Sequence, residues 1–194
     1  MLTKMLPRRV SAVAEGGPSR KHAASTGVML EVEIVRHGDA WPSEITDALL
    51  EQAAHAAFAA APSLPQETYQ VTLVLTDDAE MSNLNRIWRG KDAPTNVLSF
   101  PAGPAGQVGA QGFLGDVVLA YQTTLKEAHE QTIALQDHVA HLVVHGVLHL
   151  LGFDHTENDA AARMEDIERA ALASLGIGDP YAEERGVRPA VVSP

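Results

Sequence analysis

The chain has 194 residues, a formal net charge of −11 at pH 7 and 45% hydrophobic residues. That is enough for one domain with a proper core, and the acidic balance argues against general adhesion to nucleic acid, while leaving room for a local basic site. Cysteine is absent, which removes disulfides and thiolate ligands and suits a reducing cytoplasm, and no apolar run reaches the roughly 18 residues that a membrane helix needs.

Residues 1–27 are rich in Gly, Pro, Ser and Arg and read as a flexible tail, with a transit-type signal or an upstream start as alternatives. Residues 28–35 alternate and predict a strand. An Ala-rich stretch at 43–61 has helical spacing, with Ser43 as the N-cap and Pro62 as the stop. Residues 69–75 predict a second strand. Asp77 followed by Glu80 resembles a capping box and opens a short helix running to about Trp88. A short strand is expected at 97–100, then a mobile loop at 101–112, then a strand at 113–120 with Asp116 inside an apolar run. Residues 121–131 read as a polar, exposed helix. An apolar helix follows from about Leu135 to Leu151. Thr156 caps a last helix at 157–174, whose buried face is Ala161, Met164, Ile167, Ala171 and Leu172. Early strands and late helices predict an α+β fold. It comprises a small mixed sheet packed with helices, in one domain over 28–177, followed by a tail at 178–194.

The chain is organised around residues 145–155, HGVLHLLGFDH. His145 and His149 lie one turn apart on one helix face. Gly152 can take the left-handed conformation that ends a helix and carries His155 back to the same point. Three neutral imidazoles with an open fourth position suit a catalytic zinc ion. One histidine in an apolar helix is more often a satisfied core residue. Two of them buried without partners, however, cost about 1–3 kcal/mol for each unsatisfied group, and a shared metal removes that cost. His141 extends the stripe, but eight residues of helix span about 12 Å, too far for all three to share one ion. His141 therefore orients a ligand, faces substrate or is structural.

The same spacing matches the long zinc-peptidase signature H-E-x-x-H-x-x-G-x-x-H at every position but one. Where that signature has its general-base Glu, this chain has Gly146, which transfers no proton. A zinc peptidase therefore ranks last. Arg86, Arg89 and Lys91 cluster just before Pro94. A guanidinium grips phosphate through two parallel hydrogen bonds, and a metal polarises a phosphoryl oxygen. Three cations near a turn are, taken alone, usually solvated surface.

The metal motif, the segment NRIWRGKDAPTNVLSFP at 85–101, the strand LGDVVLA at 114–120 and the C-terminal LGIGDPYAEE together resemble the YbeY family of endoribonucleases and ribosomal RNA maturation factors. The likeness covers roughly residues 69–184. It implies a zincin-like fold with a central metal-binding helix, and one Zn2+ per chain on His145, His149 and His155. It implies Arg89 as the functional arginine, and metal-dependent cleavage of single-stranded RNA in 16S ribosomal RNA 3′-end maturation and ribosome quality control. The implied partners are ribosomal RNA and the small ribosomal subunit, with assembly GTPases and small-subunit proteins, in the cytoplasm and away from membranes. Trp88 and Phe153 stand where tyrosine is common in the family, and both keep an aromatic body. Residues 1–27 have no counterpart.

The proton-transfer residue is open. His141, Asp154, Asp116 and Asn96 are candidates for orienting an imidazole or facing substrate, and Asp154 reads equally well as a turn carboxylate. The nucleophile is either the RNA 2′-hydroxyl or a water. A second reading makes the protein a non-catalytic ribosome-assembly factor with a structural zinc site, since Gly146 leaves no obvious base.

Overall fold

The computed structural model describes residues 28–61, 68–103, 109–155 and 158–182. The expected tail at 1–27, the Pro62 stop and the Thr156 cap lie outside them. The elements in chain order are β1 (Met29–Arg36), α1 (Asp47–Ala60), β2 (Thr68–Thr76), α2 (Asp78–Arg89), β3 (Val97–Pro101), β4 (Phe113–Ala120), α3 (Tyr121–Glu130), α4 (Leu135–Leu150) and α5 (Asn158–Ser174), with a 3-10 turn at Ala110–Gly112 before β4. The sheet order is β1-β2-β4-β3. β1 and β4 run parallel to β2, and β3 runs antiparallel to β4 at the edge. This is the small mixed sheet with helices that the sequence predicts.

Strand alternation divides the core. Val71, Leu73, Leu75, Val117 and Leu119 face one side and pack with α1, α4 and α5. Val74, Val118, Leu98 and Phe100 face the other side, under Met81, Leu84 and Trp88 of α2. Helix α4 is buried along almost its whole length.

Three local expectations change. α1 is capped by Thr46, whose hydroxyl accepts from Leu49 N (3.2 Å), and not by Ser43. A turn closed from Ile45 N to Pro42 O (3.0 Å) buries Ile45 first. Arg36 Nη2 then holds Ile45 O (2.7 Å) and Asp47 Oδ1 (2.8 Å), so a strand residue sets the start of the helix. At α2 Asp77 accepts from Glu80 N (2.9 Å), but the Glu80 carboxylate does not complete a box. It takes the Thr76 hydroxyl and His37 Nδ1 (2.8 Å) instead. α3 is less exposed than expected, with Thr124 and Ala128 buried. Of the expected loop at 101–112, Pro101 ends β3, and residues 104–108 lie outside the described ones.

Two glycines allow close approach. At Gly115 (φ 138°) a Cβ would lie 2.2 Å from Phe100 O, so only glycine lets β3 pair there. At Gly146 a Cβ would lie 2.5 Å from Val117 Cγ1 and 3.2 Å from Ser99 Oγ. Helix α4 thus presses its backbone onto the sheet, and Ser99 Oγ donates to Gly146 O (3.0 Å). The position where a zinc peptidase carries its glutamate has no room for a side chain in this packing. Gly146→Ala gains about 1 kcal/mol of helix propensity but meets the stiff Val117 side chain. We expect net destabilisation of about 1–2 kcal/mol by urea unfolding; unchanged or increased stability would show that the contact yields freely.

Candidate metal centre

Helix α4 presents His145 and His149 one turn apart. Gly152 then adopts the left-handed conformation (φ 91°), with Gly152 N donating to His149 O (3.1 Å) and Phe153 N to Leu148 O (3.1 Å). The reversed chain delivers His155. One ring nitrogen from each of the three histidines lies within 4.8 Å of the other two.

His145 Nε2 and His149 Nε2 are 3.0 Å apart. The groups behind the rings define this contact. His149 Nδ1 lies 3.0 Å from Phe153 O. A carbonyl only accepts, so this nitrogen carries the proton. His145 Nδ1 lies 2.6 Å from Glu168 Oε1, an acceptor when ionised. Assigned from these partners, each Nδ1 carries a hydrogen, so that in the neutral, metal-binding form of the rings both Nε2 atoms present lone pairs to one another. Two lone pairs this close repel unless a cation lies between them. A tetrahedral ion with bonds of about 2.0–2.1 Å separates its nitrogens by roughly 3.3 Å. The donor set therefore fits a divalent metal ion, and among the described residues no carboxylate or further imidazole joins it as a fourth ligand.

Glu168 is 0% exposed. Burial pushes its carboxyl pKa up, but contacts with His141 and His145 and the Tyr181 hydroxyl outweigh this and hold it at about 2. His141 Nε2 stands 3.8 Å from Glu168 Oε2, beyond hydrogen-bond distance. For His149, burial first, then the neighbouring His145 and His155, lower the pKa against the Phe153 carbonyl and Asp154. The ring is therefore neutral at neutral pH, the form that binds metal.

The three histidines open on a cleft of about 460 Å³, also lined by Arg89, Asn96, Ser99 and Asp154. Arg89 is the last residue of α2 and is exposed. Of the neighbouring cations, Arg86 is engaged by Asn83 Oδ1 (2.9 Å) and lies 3.9 Å from Asp92 Oδ1, and Lys91 does not line the cleft.

The remaining expected site residues separate. Asp154 lies at the cleft, and its Oδ1 accepts from His155 N (2.7 Å), a turn role. Asn96 lines the cleft, but its Nδ2 donates to Glu127 Oε2 (2.8 Å) and its Oδ1 accepts from Val97 N (2.7 Å). His141 turns toward Glu168 and Tyr181 and does not line the cleft. Asp116 does not reach the cleft. It lies on the opposite face of the sheet, in a separate hollow with Glu31, Glu33 and Thr72. Alternation decides this, because Val117 points at α4 and its neighbour therefore points away.

Sequence reasoning passed over Glu168 and Tyr181. The signal was present at Glu168, which is four residues after Met164 and three before Ala171, on the buried stripe of α5. A carboxylate on an apolar face needs a partner.

The lowered Glu168 pKa stabilises the fold fully above the unfolded value of 4.5, and this is lost as pH falls from there toward about 2. His149, also lowered, removes stability as pH falls below 6.5. We expect the melting temperature of the metal-free protein to fall in both windows. Glu168→Gln should flatten only the window below 4.5; an unchanged acid limb in that variant would show the carboxylate to be uncoupled from folding.

The family described as Endoribonuclease YbeY matches residues 38–176. A protein of Paramagnetospirillum magneticum named Endoribonuclease YbeY is 47% identical over 166 residues, covering 81% of this chain and 99% of that protein. One of the same name from Parvibaculum lavamentivorans is 45% identical over 179 residues, covering 87% of this chain and 95% of its own length. Another from Rhodospirillum rubrum is 52% identical over 148 residues, covering 72% and 74%. A family match over most of the chain, with two relatives this similar across nearly their full length, shows that the chain belongs to the YbeY family.

Proposed function

We propose that this protein is a metal-dependent endoribonuclease. It cuts single-stranded RNA and acts in the cytoplasm in 16S ribosomal RNA 3′-end maturation and ribosome quality control. The observation that carries the reading is the convergence of His145 Nε2 and His149 Nε2, 3.0 Å apart, with His155 on a cleft that Arg89 also lines. Family membership supports RNA as the substrate, since the relatives are named endoribonucleases.

His145, His149 and His155 hold the ion, which we take to be Zn2+, one per chain. Neutral nitrogen donors and three ligands suit zinc in an open, catalytic site. The ion supplies a Lewis acid for a phosphoryl oxygen. Arg89, on the lining of the same cleft, would bind and orient the phosphodiester, its fork matching two phosphate oxygens. Glu168 and the Phe153 carbonyl keep the His145 and His149 protons on Nδ1, so that the nitrogens facing the cleft stay free to ligate. Asn96, fastened to Glu127, holds the turn before β3 and with it the cleft wall. Three histidine ligands with no fourth protein ligand among the described residues support catalysis over a structural zinc site, which is usually closed by a fourth protein ligand. Ribosomal RNA in the small subunit is the proposed substrate, with assembly GTPases and small-subunit proteins as partners. Because the body of the chain is acidic, such partners would help bring RNA to the local positive site.

Purified protein is expected to cut single-stranded RNA, and a chelator or His149→Ala to abolish the cutting. Arg89→Ala should keep fold and metal while lowering kcat/KM by about 10²–10³-fold. Cleavage that survives metal removal would refute the reading. An Arg89→Ala protein that still matures ribosomes in cells would favour the assembly-factor role.

A further inference from the structure

We propose that Tyr181 is a positioning residue of the metal centre. Its hydroxyl holds the Glu168 carboxylate in the orientation that keeps Oε1 on His145 Nδ1–H. This rests on the metal reading above and extends it to the segment that follows α5.

The two oxygens of Glu168 have different neighbours. Oε1 faces His145 Nδ1 at 2.6 Å. Oε2 accepts from the Tyr181 hydroxyl and lies 3.8 Å from His141 Nε2. His145 and His141, one turn apart on α4, thus face the two oxygens of one buried carboxylate, His145 within hydrogen-bond distance and His141 beyond it. A carboxylate turns about its last torsion at little energetic cost. The hydroxyl on Oε2 removes that freedom. It occupies the oxygen on the His141 side and leaves the other on the ligand.

Tyr181 reaches this point because the chain after α5 folds back. Ile177 N donates to Leu172 O (3.0 Å), and Gly176 takes a positive φ of 75° to allow it. Ile177 then packs against the main core. Asp179 Oδ1 accepts from Tyr181 N (2.9 Å), and Asp179 O accepts from Ala182 N (3.3 Å). This second turn aims the phenol inward, its ring edge-on to His141 at 6.1 Å. A solvated tail needs none of these contacts, whereas a strap across the back of the metal site needs all of them.

The coupling is reciprocal. A cation on His145 Nε2 makes its Nδ1–H a stronger donor, which draws Glu168 more firmly into place, and the ordered carboxylate is then a better acceptor for Tyr181. Metal binding therefore tightens the strap, and the docked strap tightens metal binding. Groups that orient a metal-ligating histidine typically change metal affinity about 10–100-fold when removed. One step further out, the lower end of that range is expected.

Tyr181→Phe keeps the ring against His141 and removes only the hydroxyl. We expect its Zn2+ dissociation constant, measured by chelator competition, to rise about tenfold, and the visible absorption of the Co2+-loaded protein to change shape. In a Glu168→Gln background the same substitution should shift affinity by less than about twofold, because the two residues act through one contact. In the wild type, amide hydrogen exchange at residues 177–182 should slow when Zn2+ is added, a readout that does not depend on the variant folding. Wild-type affinity in Tyr181→Phe, equal losses in both backgrounds, or exchange indifferent to Zn2+ would each overturn the strap and leave the metal centre standing. Failure of the wild type to bind metal would remove both.

Discussion

The placement of two protons governs this molecule. An acceptor stands behind Nδ1 of His145 and of His149 and assigns a hydrogen to each of those nitrogens. This turns two nitrogens toward each other as lone pairs and makes an otherwise repulsive contact a binding site. Much of the tertiary structure serves to supply those acceptors. The Gly152 turn returns the chain so that the Phe153 carbonyl meets His149. Helix α5 packs on α4 and buries Glu168 against His145. A buried carboxylate is tolerated only with donors around it, and here the donors are parts of the site it supports.

A second constraint sets where the site can open. Gly146 brings the α4 backbone onto Val117 and Ser99, which leaves α4 no lateral freedom against the sheet. Because β3 is the edge strand, the histidine face of α4 emerges beside it and forms one wall of the cleft. The glycine that removes a peptidase's base is thus also a packing requirement of the helix. The two facts have one cause in the geometry of the α4–sheet contact.

Charge is distributed with similar economy. The chain is strongly acidic overall, yet the cleft wall carries Arg89 while Arg86 is occupied by Asn83 and approached by Asp92. The acidic hollow of Glu31, Glu33 and Asp116 lies across the sheet from the metal ligands. Asn96 meets Glu127, which also takes His138 Nε2 at 2.9 Å, so a part-buried polar relay braces the turn that shapes the cleft. Burial lowers the His138 pKa in spite of Glu127, which keeps that ring neutral inside the core.

The sequence by itself determined the elements, the α+β class and the convergence of His145, His149 and His155. Those features depend on spacing along one chain: helical period, strand alternation, and a glycine where the helix must end. By charge alone Arg89 was one of three cations, and the family resemblance singled it out; the cleft is likewise lined by Arg89 and by neither Arg86 nor Lys91. The cap of α1 went to Thr46 because Arg36, from another element, holds that turn. Asp116 faced away because the pleat at Val117 was already committed to α4. Glu168 and Tyr181 became part of the site only through packing of distant segments, whereas the Phe153 carbonyl reaches His149 through the local Gly152 turn. The acceptor behind His145 is a contact between elements, and no periodicity within one element encodes it.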